Sequence, residues 1–500
     1  MPNYLAVTIG PIGRTLGPLR KTRAIFAGSY LFSYVMRELL RALSVGEHQL
    51  QGKLLLPYVP NDKMEEYFAS TQGIGVGLYP DRLLAEAAEG DFERFVSARK
   101  LVLEKVAALG LSTDFTNQYF QIYGTVLTLD QNDDTVNALN RLLDQLEMRQ
   151  QWVSKGNPDG LTQYLSKANA IMLDAFGDGN RIFPSLPAIA TRGLREGTRK
   201  ERKAYFEAVE NEDDENELIP SLKKEFGERF RFYHKYIAIV YADGDRMGKH
   251  IGNQNADSAK LNDVSKNLFD FGQAAKGVIV SYGGSPVYIG GDDLFFFAPV
   301  AVVEEGKTKT IFDCIADLDV AFEAQFPKSD GNPTLSYGVS ITYHKYPLNE
   351  ARSKAEELLY TAKDTDRHTA KNAIEWNVNK HSGSFFGAGL DKDQPYFKTF
   401  KTLLSQRTEA DANWLNSVIY FVRYWSELFP KLTEVEIQNL FKSRLNESVH
   451  REDQVFLYET LPAFISQVHA AFPDRANDGN TLIFGVLRFI QFIRSDDQDE

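Results

Sequence analysis

Twice along the 500-residue chain the strand and helix signals run in the order β-α-β-β-α-β. That is the ferredoxin-like order, and its recurrence limits the fold more than any other feature. In the first run, residues 4–9 and 54–59 read as strands, with Pro57 marking an edge position. A long amphipathic stretch, 17–43, lies between them. Residues 73–79 read as a strand closed by Pro80, 92–109 as a helix and 119–129 as the last strand. In the second run, 236–242 is a strand, 256–275 a helix, and 287–289 with 294–298 a hairpin. Then come a helix at 308–326, a strand at 334–343, a helix at 349–362 and a closing strand at 373–378.

The remainder has a different character. Residues 139–152 and 161–176 read as helices, and 183–189 as an extended connector, because each proline disfavours helix at its predecessor. The acidic run 210–217 reads as a solvated loop. Beyond 397 the pattern is helical, at 414–429, 433–445 and 455–472, ending in a frayed tail. The expected fold class is α+β, with four domains. Two ferredoxin-like domains span 1–130 and 231–385, a mostly helical domain spans 131–230, and a helical domain spans 386–500. Setting YLAVTIGP against YIAIVYAD aligns Tyr4 with Tyr236 and places Pro11 opposite Asp243. The two units then read as a duplication whose first copy lacks the acidic residue.

Composition excludes several classes of function. With 56 Lys plus Arg against 68 Asp plus Glu, the net charge of -12 argues against a free-standing, charge-driven DNA binder. It leaves room for a nucleic-acid machine in which other subunits supply the basic surface. Cys314 is the single cysteine, so no internal disulfide and no multi-cysteine zinc site can form. No apolar run approaches the ~18 residues of a membrane span, and the start reverses the order of a secretory signal. A cytoplasmic, unprocessed chain is expected. The eight histidines show no metal-ligand spacing.

Two acidic clusters carry the chemistry. Asp243-Gly244-Asp245 ends an apolar strand, and Gly290-Gly291-Asp292-Asp293 forms the tip of a hairpin, where the glycines suit a tight turn. The first and third strands of a ferredoxin-like sheet are neighbours, so the clusters converge at one sheet edge. Either cluster alone reads as a turn. Together they read as a metal site, because crowded carboxylates need a counter-charge and hard oxygen ligands favour Mg²⁺ or Mn²⁺. The expected metal ligands and catalytic residues are Asp243, Asp292 and Asp293, and the chemistry is two-metal nucleotidyl transfer. Gly290 and Gly291 would leave room for a nucleotide against the backbone, Gly244 is a further candidate for nucleotide binding, and Lys249, Lys363 and Lys371 are candidates for triphosphate contact. Asp245 reads equally as a helix N-terminal residue or a ligand.

With these residues in view the chain resembles a known family. AVTIGPIGRTLGPLRKTRAIFAGSYLFSYVMREL, YADGDRMGKHIG, the GGDD hairpin, SYGVSITYHKYPLNEARSKAEELLYTAK, KNAIEW and KHSGS, in that order, are similar to the large polymerase/cyclase subunit of type III CRISPR effector complexes. This is the Cas-ten family, in its Cmr (III-B) branch; LYPDRLLA and FPSLPAIA are further family-like segments. The resemblance implies two palm domains, of which only the second carries the metal carboxylates, with Asp243, Asp292 and Asp293 binding metal and ATP. It implies partnership with other Cmr subunits, CRISPR RNA and target RNA, the last switching the polymerase on. The implied product is cyclic oligoadenylate, or alternatively AMP joined to S-adenosylmethionine. Many members also carry an HD nuclease domain and a cysteine zinc site. No His-Asp dipeptide occurs here, so DNA cleavage through this chain is not expected, and one cysteine cannot build the zinc site, so packing must stabilise that region instead. Two rival readings remain, a relative of diguanylate cyclases, weakened by GGDD in place of GGDEF, and a scaffold with a vestigial site.

Overall fold

The computed structural model describes residues 2–129, 135–148, 158–178, 183–195, 198–211, 217–252, 257–304, 307–328, 331, 333–368, 371–406, 412–445 and 455–495. Most of the acidic run 210–217 lies outside them, as does the end of the chain.

The first unit has four strands, β1 (Asn3–Gly10), β2 (Leu54–Leu56), β3 (Arg82–Glu86) and β4 (Gln121–Thr128), paired in the order β2-β3-β1-β4. In the second unit, β5 (Tyr236–Asp245), β6 (Ser285–Gly290), β7 (Asp293–Pro299) and β10 (Thr334–Tyr343) repeat that order as β6-β7-β5-β10. Helices Thr22–Ser44 and Asp91–Ala108 cross the first sheet, as Ser258–Tyr282 and Ile311–Gln325 cross the second. The matching topology and matching crossovers agree with a duplication, and β1 and β5 are the corresponding central strands.

Four local expectations are corrected. Residues 73–79 form no strand. Gly77 alone bridges to Tyr288 on β6, and it must be glycine because a β-carbon there would stand 2.6 Å from Ser33 Cβ. The strand is the next segment, Arg82–Glu86, whose helix-favouring Leu-Leu-Ala-Glu is overridden by pairing with β1. The connector at 183–189 contains a short helix, Leu186–Ala190, capped by Ser185 with Pro187 in its first turn, where a missing N–H costs nothing. Residues 308–310 belong to a small hairpin of β8 (Ala301–Glu304) and β9 (Lys307–Thr310). Finally, β11 (Ala373–Asn379) does not close the second sheet, because β12 (Phe385–Asp391) pairs beyond it. Gly387 permits that pairing, since a β-carbon there would meet Trp376 O at 2.1 Å.

The second sheet is buried on both faces, which is why β5 reads as a nearly continuous apolar run. One face, with Ile237, Ile239 and Phe297, packs against the first unit. The other, with Val240, Phe296 and Trp376, packs against the crossover and C-terminal helices. There Trp376 meets Phe312 and Phe489 edge-on at 5.6 and 5.3 Å, joining the sheet to the C-terminal helices in one core. No described helix is long and apolar enough to cross a membrane.

Candidate active site

β5 runs antiparallel to β7 with Ala242 opposite Leu294, so one step further Asp243 faces Asp293. The β6–β7 hairpin turns through Gly291 and Asp292, between the paired Gly290 and Asp293. Only Gly291 has the left-handed backbone the turn requires, at φ 73°. The expected convergence of the two acidic clusters is therefore present. The Asp293 carboxyl comes within hydrogen-bonding reach of Asp243.

The glycines serve the protein's own packing more than a ligand. The space beside Gly244 is filled by the Asp292 carboxyl, and that beside Gly290 by the Tyr288 phenol, 1.8 Å from where a β-carbon would stand. Gly291 alone is open, with Leu268 Cδ1 at 3.8 Å its nearest neighbour. The sequence alone suggests room for a nucleotide at Gly290 and Gly291.

Electrostatically the site carries more negative charge than its surroundings balance. Asp293 is exposed and Asp292 half-buried at the mouth of the site. The protein packed behind them, together with repulsion from Asp243, pushes both carboxyls up, Asp292 to about 6. Lys363 opposes this. Its ammonium donates to Asp243 Oδ2 and, at 3.0 Å, to the Gly244 carbonyl. Of the three expected lysines only Lys363 reaches the carboxylates. Lys249 is exposed on the short helix Met247–Gly252, and half-buried Lys371 makes no contact with them among the described residues. As the side chains lie, no three His, Cys, Asp or Glu among the described residues form a metal-holding group.

Asp245 is a buried tie. Its Oδ2 accepts from Thr334 Oγ1 at 2.9 Å, Ser336 Oγ at 2.8 Å and the Asn372 N–H at 2.9 Å. Those bonds fasten the end of β5 to β10 and to the turn before β11. Its Oδ1 is buried without a hydrogen-bond partner among the described residues. The Thr-Leu-Ser alternation at 334–336 was the available signal, since it sets both hydroxyls on one face of β10.

The segment between Lys363 and β11 is held by a second cluster that no motif announced. His368 donates to Asp391 and, at 2.9 Å, to Glu375, while Arg367 reaches Glu375 at 2.7 Å. Burial alone would lower the imidazole, but these hydrogen bonds outweigh it and hold His368 up to about 9. Lys363 itself ends the helix Leu348–Ala362, which lies flush on β10 at Gly338.

The comparisons agree with this architecture. Residues 236–375 match the family model for the second palm domain of Cas10/Cmr2, and residues 4–110 that for the N-terminal part of the CRISPR-associated protein Cmr2. The CRISPR system Cmr subunit Cmr2 of Pyrococcus furiosus is 23% identical over 295 residues, 52% of this chain and 31% of that protein. The match thus spans about a third of the curated relative's length. Among solved structures, a chain of the type III-B Cmr-beta complex bound to cognate target RNA is similar at a TM-score of 0.57 and 11% identity, over 88% of this chain and 77% of that one. A chain of the Csm1-Csm4 cassette in complex with pppApA is similar at 0.49 and 14% identity, over 98% and 69%. At such identities the structural likeness speaks for the fold alone. With both ferredoxin-like units in place and both family models matched in chain order, the chain belongs to the Cas10/Cmr2 family.

Proposed function

We propose that this chain is the RNA-activated nucleotidyltransferase subunit of a type III-B effector complex, converting ATP to cyclic oligoadenylate. The observation that carries this reading is the facing pair Asp243 and Asp293, with Asp292 in the adjoining turn and Lys363 as their counter-charge among the described residues. One ammonium does not balance three carboxylates, and burial together with carboxylate repulsion raises the proton affinity of Asp292 and Asp293.

A divalent cation fits this donor set. Asp243, Asp292 and Asp293 would hold Mg²⁺ or Mn²⁺ as hard oxygen ligands. Once bound, such a cation supplies charge neutralisation at the attacking hydroxyl and the leaving pyrophosphate. The chain's own residues do the positioning. The β5–β7 register sets Asp243 against Asp293, Gly244 lets Asp292 lie close, and Asp245 anchors the strand end. Lys363 brings positive charge to the same edge from the helix before it.

Family membership supports partnership with other Cmr subunits and with CRISPR RNA. The similar chain of the Cmr-beta complex, in a structure bound to cognate target RNA, supports target RNA as the activator. A net charge of -12 fits a subunit that shares its RNA contacts with others. The test is to supply the assembled complex with ATP, Mg²⁺ or Mn²⁺ and target RNA, with and without S-adenosylmethionine, and to weigh the products. Oligoadenylates formed only with target RNA, and unchanged by S-adenosylmethionine, are expected. A product that appears only with S-adenosylmethionine would replace this acceptor, and no product would overturn the reading.

A further inference from the structure

A second site lies at the other end of β6. β6 leaves the hairpin turn at Gly290 and begins at Ser285, roughly 16 Å away at ~3.3 Å per residue. At that end the first unit, the segment 183–195 and the helix Ser258–Tyr282 line a half-open cavity of about 390 Å³. That is within the size of small-molecule sites, about 300–1,000 Å³.

Two cations line it without a carboxylate. Lys276 and Val280 sit one turn apart on one face of the Ser258–Tyr282 helix, and the helix ends at Gly283 on the same side. There Arg192 Nη1 donates to the Gly283 carbonyl at 3.0 Å and the Gly284 carbonyl at 2.8 Å. A guanidinium has five N–H donors, so those on Nε and Nη2, which make no bond among the described residues, are left for a ligand. Lys276 has no hydrogen-bond or ionic partner among the described residues, and Arg192 has beside it the buried Tyr205 phenol and another cation, Arg195. Burial lowers both groups, Arg192 to about 10, as it does when no anion compensates. The nearby Asp174 carboxylate is taken up by Arg37 and Tyr30.

The opposite wall is apolar. Gly75 lies against the Phe176 ring, 3.0 Å from it at the position of a β-carbon, and Ile74 continues that wall. The cavity therefore pairs a cationic side with an apolar side, and Ser285 is among its lining residues. We propose that it binds a nucleoside phosphate, with the phosphate on Arg192 and Lys276 and the nucleoside against Phe176, at a site separate from the carboxylates. This does not depend on the proposed function.

The test uses the full chain carrying Asp292→Ala and Asp293→Ala, in EDTA, so that the carboxylate site takes no part. Calorimetric titration with ADP should show one binding event. Lys276→Glu should weaken it about tenfold or more, and Lys276→Arg should retain it. Lys276 is chosen because Arg192 also caps a helix, so its loss would disturb the fold. Inorganic phosphate should bind more weakly than ADP. Phosphate binding as tight as ADP would overturn the nucleoside half of the proposal. No ADP binding at millimolar concentration, or binding indifferent to Lys276→Glu, would overturn all of it.

Discussion

A β-carbon at Gly244 would stand 2.3 Å from Asp292 Oδ2 and 2.8 Å from Asp292 Cβ, so the Asp292 carboxyl occupies the space any other residue at 244 would fill. Gly244→Ala must therefore push Asp292 away from Asp243 while leaving the half-exposed turn free to adjust. The expected outcome is a chain that folds, by circular dichroism, with nucleotide product reduced about hundredfold, the usual scale of an ångström misplacement. Product at the wild-type rate would show that Asp292 need not lie there.

Gly338 plays the matching part for Lys363. A β-carbon there would meet Ala355 O at 2.1 Å and Leu359 N at 2.3 Å, both backbone atoms of the helix that ends just before Lys363. Gly338→Ala should destabilise the chain by about 3 kcal/mol through forced separation of helix and sheet. A chemical-denaturation midpoint unchanged from wild type would contradict that close packing.

Much of this was legible in the sequence, and the gaps have physical causes. The run Ile237-Ala-Ile-Val and the Gly-Gly-Asp-Asp turn announce themselves because short-range pattern decides them. Arg82–Glu86 was missed because its residues favour helix and only its pairing with β1 makes it a strand. Gly290 was read as room for a ligand, whereas Tyr288, two residues before it on the same strand, fills that room. Lys363 could be listed with Lys249 and Lys371 but not preferred, because its reach to Asp243 depends on where a helix ends 120 residues later. His368, Glu375 and Asp391 were invisible, since no motif spacing marks a buried ion cluster built across two strands and a loop.

That cluster gives a pH signature. The Asp391 and Glu375 carboxylates hold His368 up to about 9 against an ordinary 6.5, so it contributes stability that is fully present below about pH 6.5. The contribution is lost as the pH rises through about 9. His368→Gln should lower stability by about 3 kcal/mol at pH 7, with the deficit shrinking by pH 10. Urea midpoints of both proteins at the two pH values check this. A deficit that is the same at pH 10 would mean that the charge on His368 contributes nothing.

Asp245 is expected to matter for structure before chemistry. Asp245→Ala leaves the Thr334 and Ser336 hydroxyls and the Asn372 N–H without their shared acceptor, at a cost of about 2–3 kcal/mol. Asp245→Asn, which keeps an acceptor oxygen, should recover most of that in thermal unfolding. Equal losses in the two variants would argue that the tie is not a hydrogen-bonding one.

The most direct measurement is product formation by the assembled complex with Asp292→Ala and Asp293→Ala, given ATP, Mg²⁺ or Mn²⁺ and target RNA, and read by mass spectrometry. Removing both hairpin carboxylates from a surface turn should abolish oligoadenylate by orders of magnitude while assembly and RNA binding persist. Asp243→Ala should do the same, and Pro11→Ala, at the matching place of the first unit, should not. Product from the double variant at near the wild-type rate would contradict the assignment of this edge of the second sheet as the catalytic site.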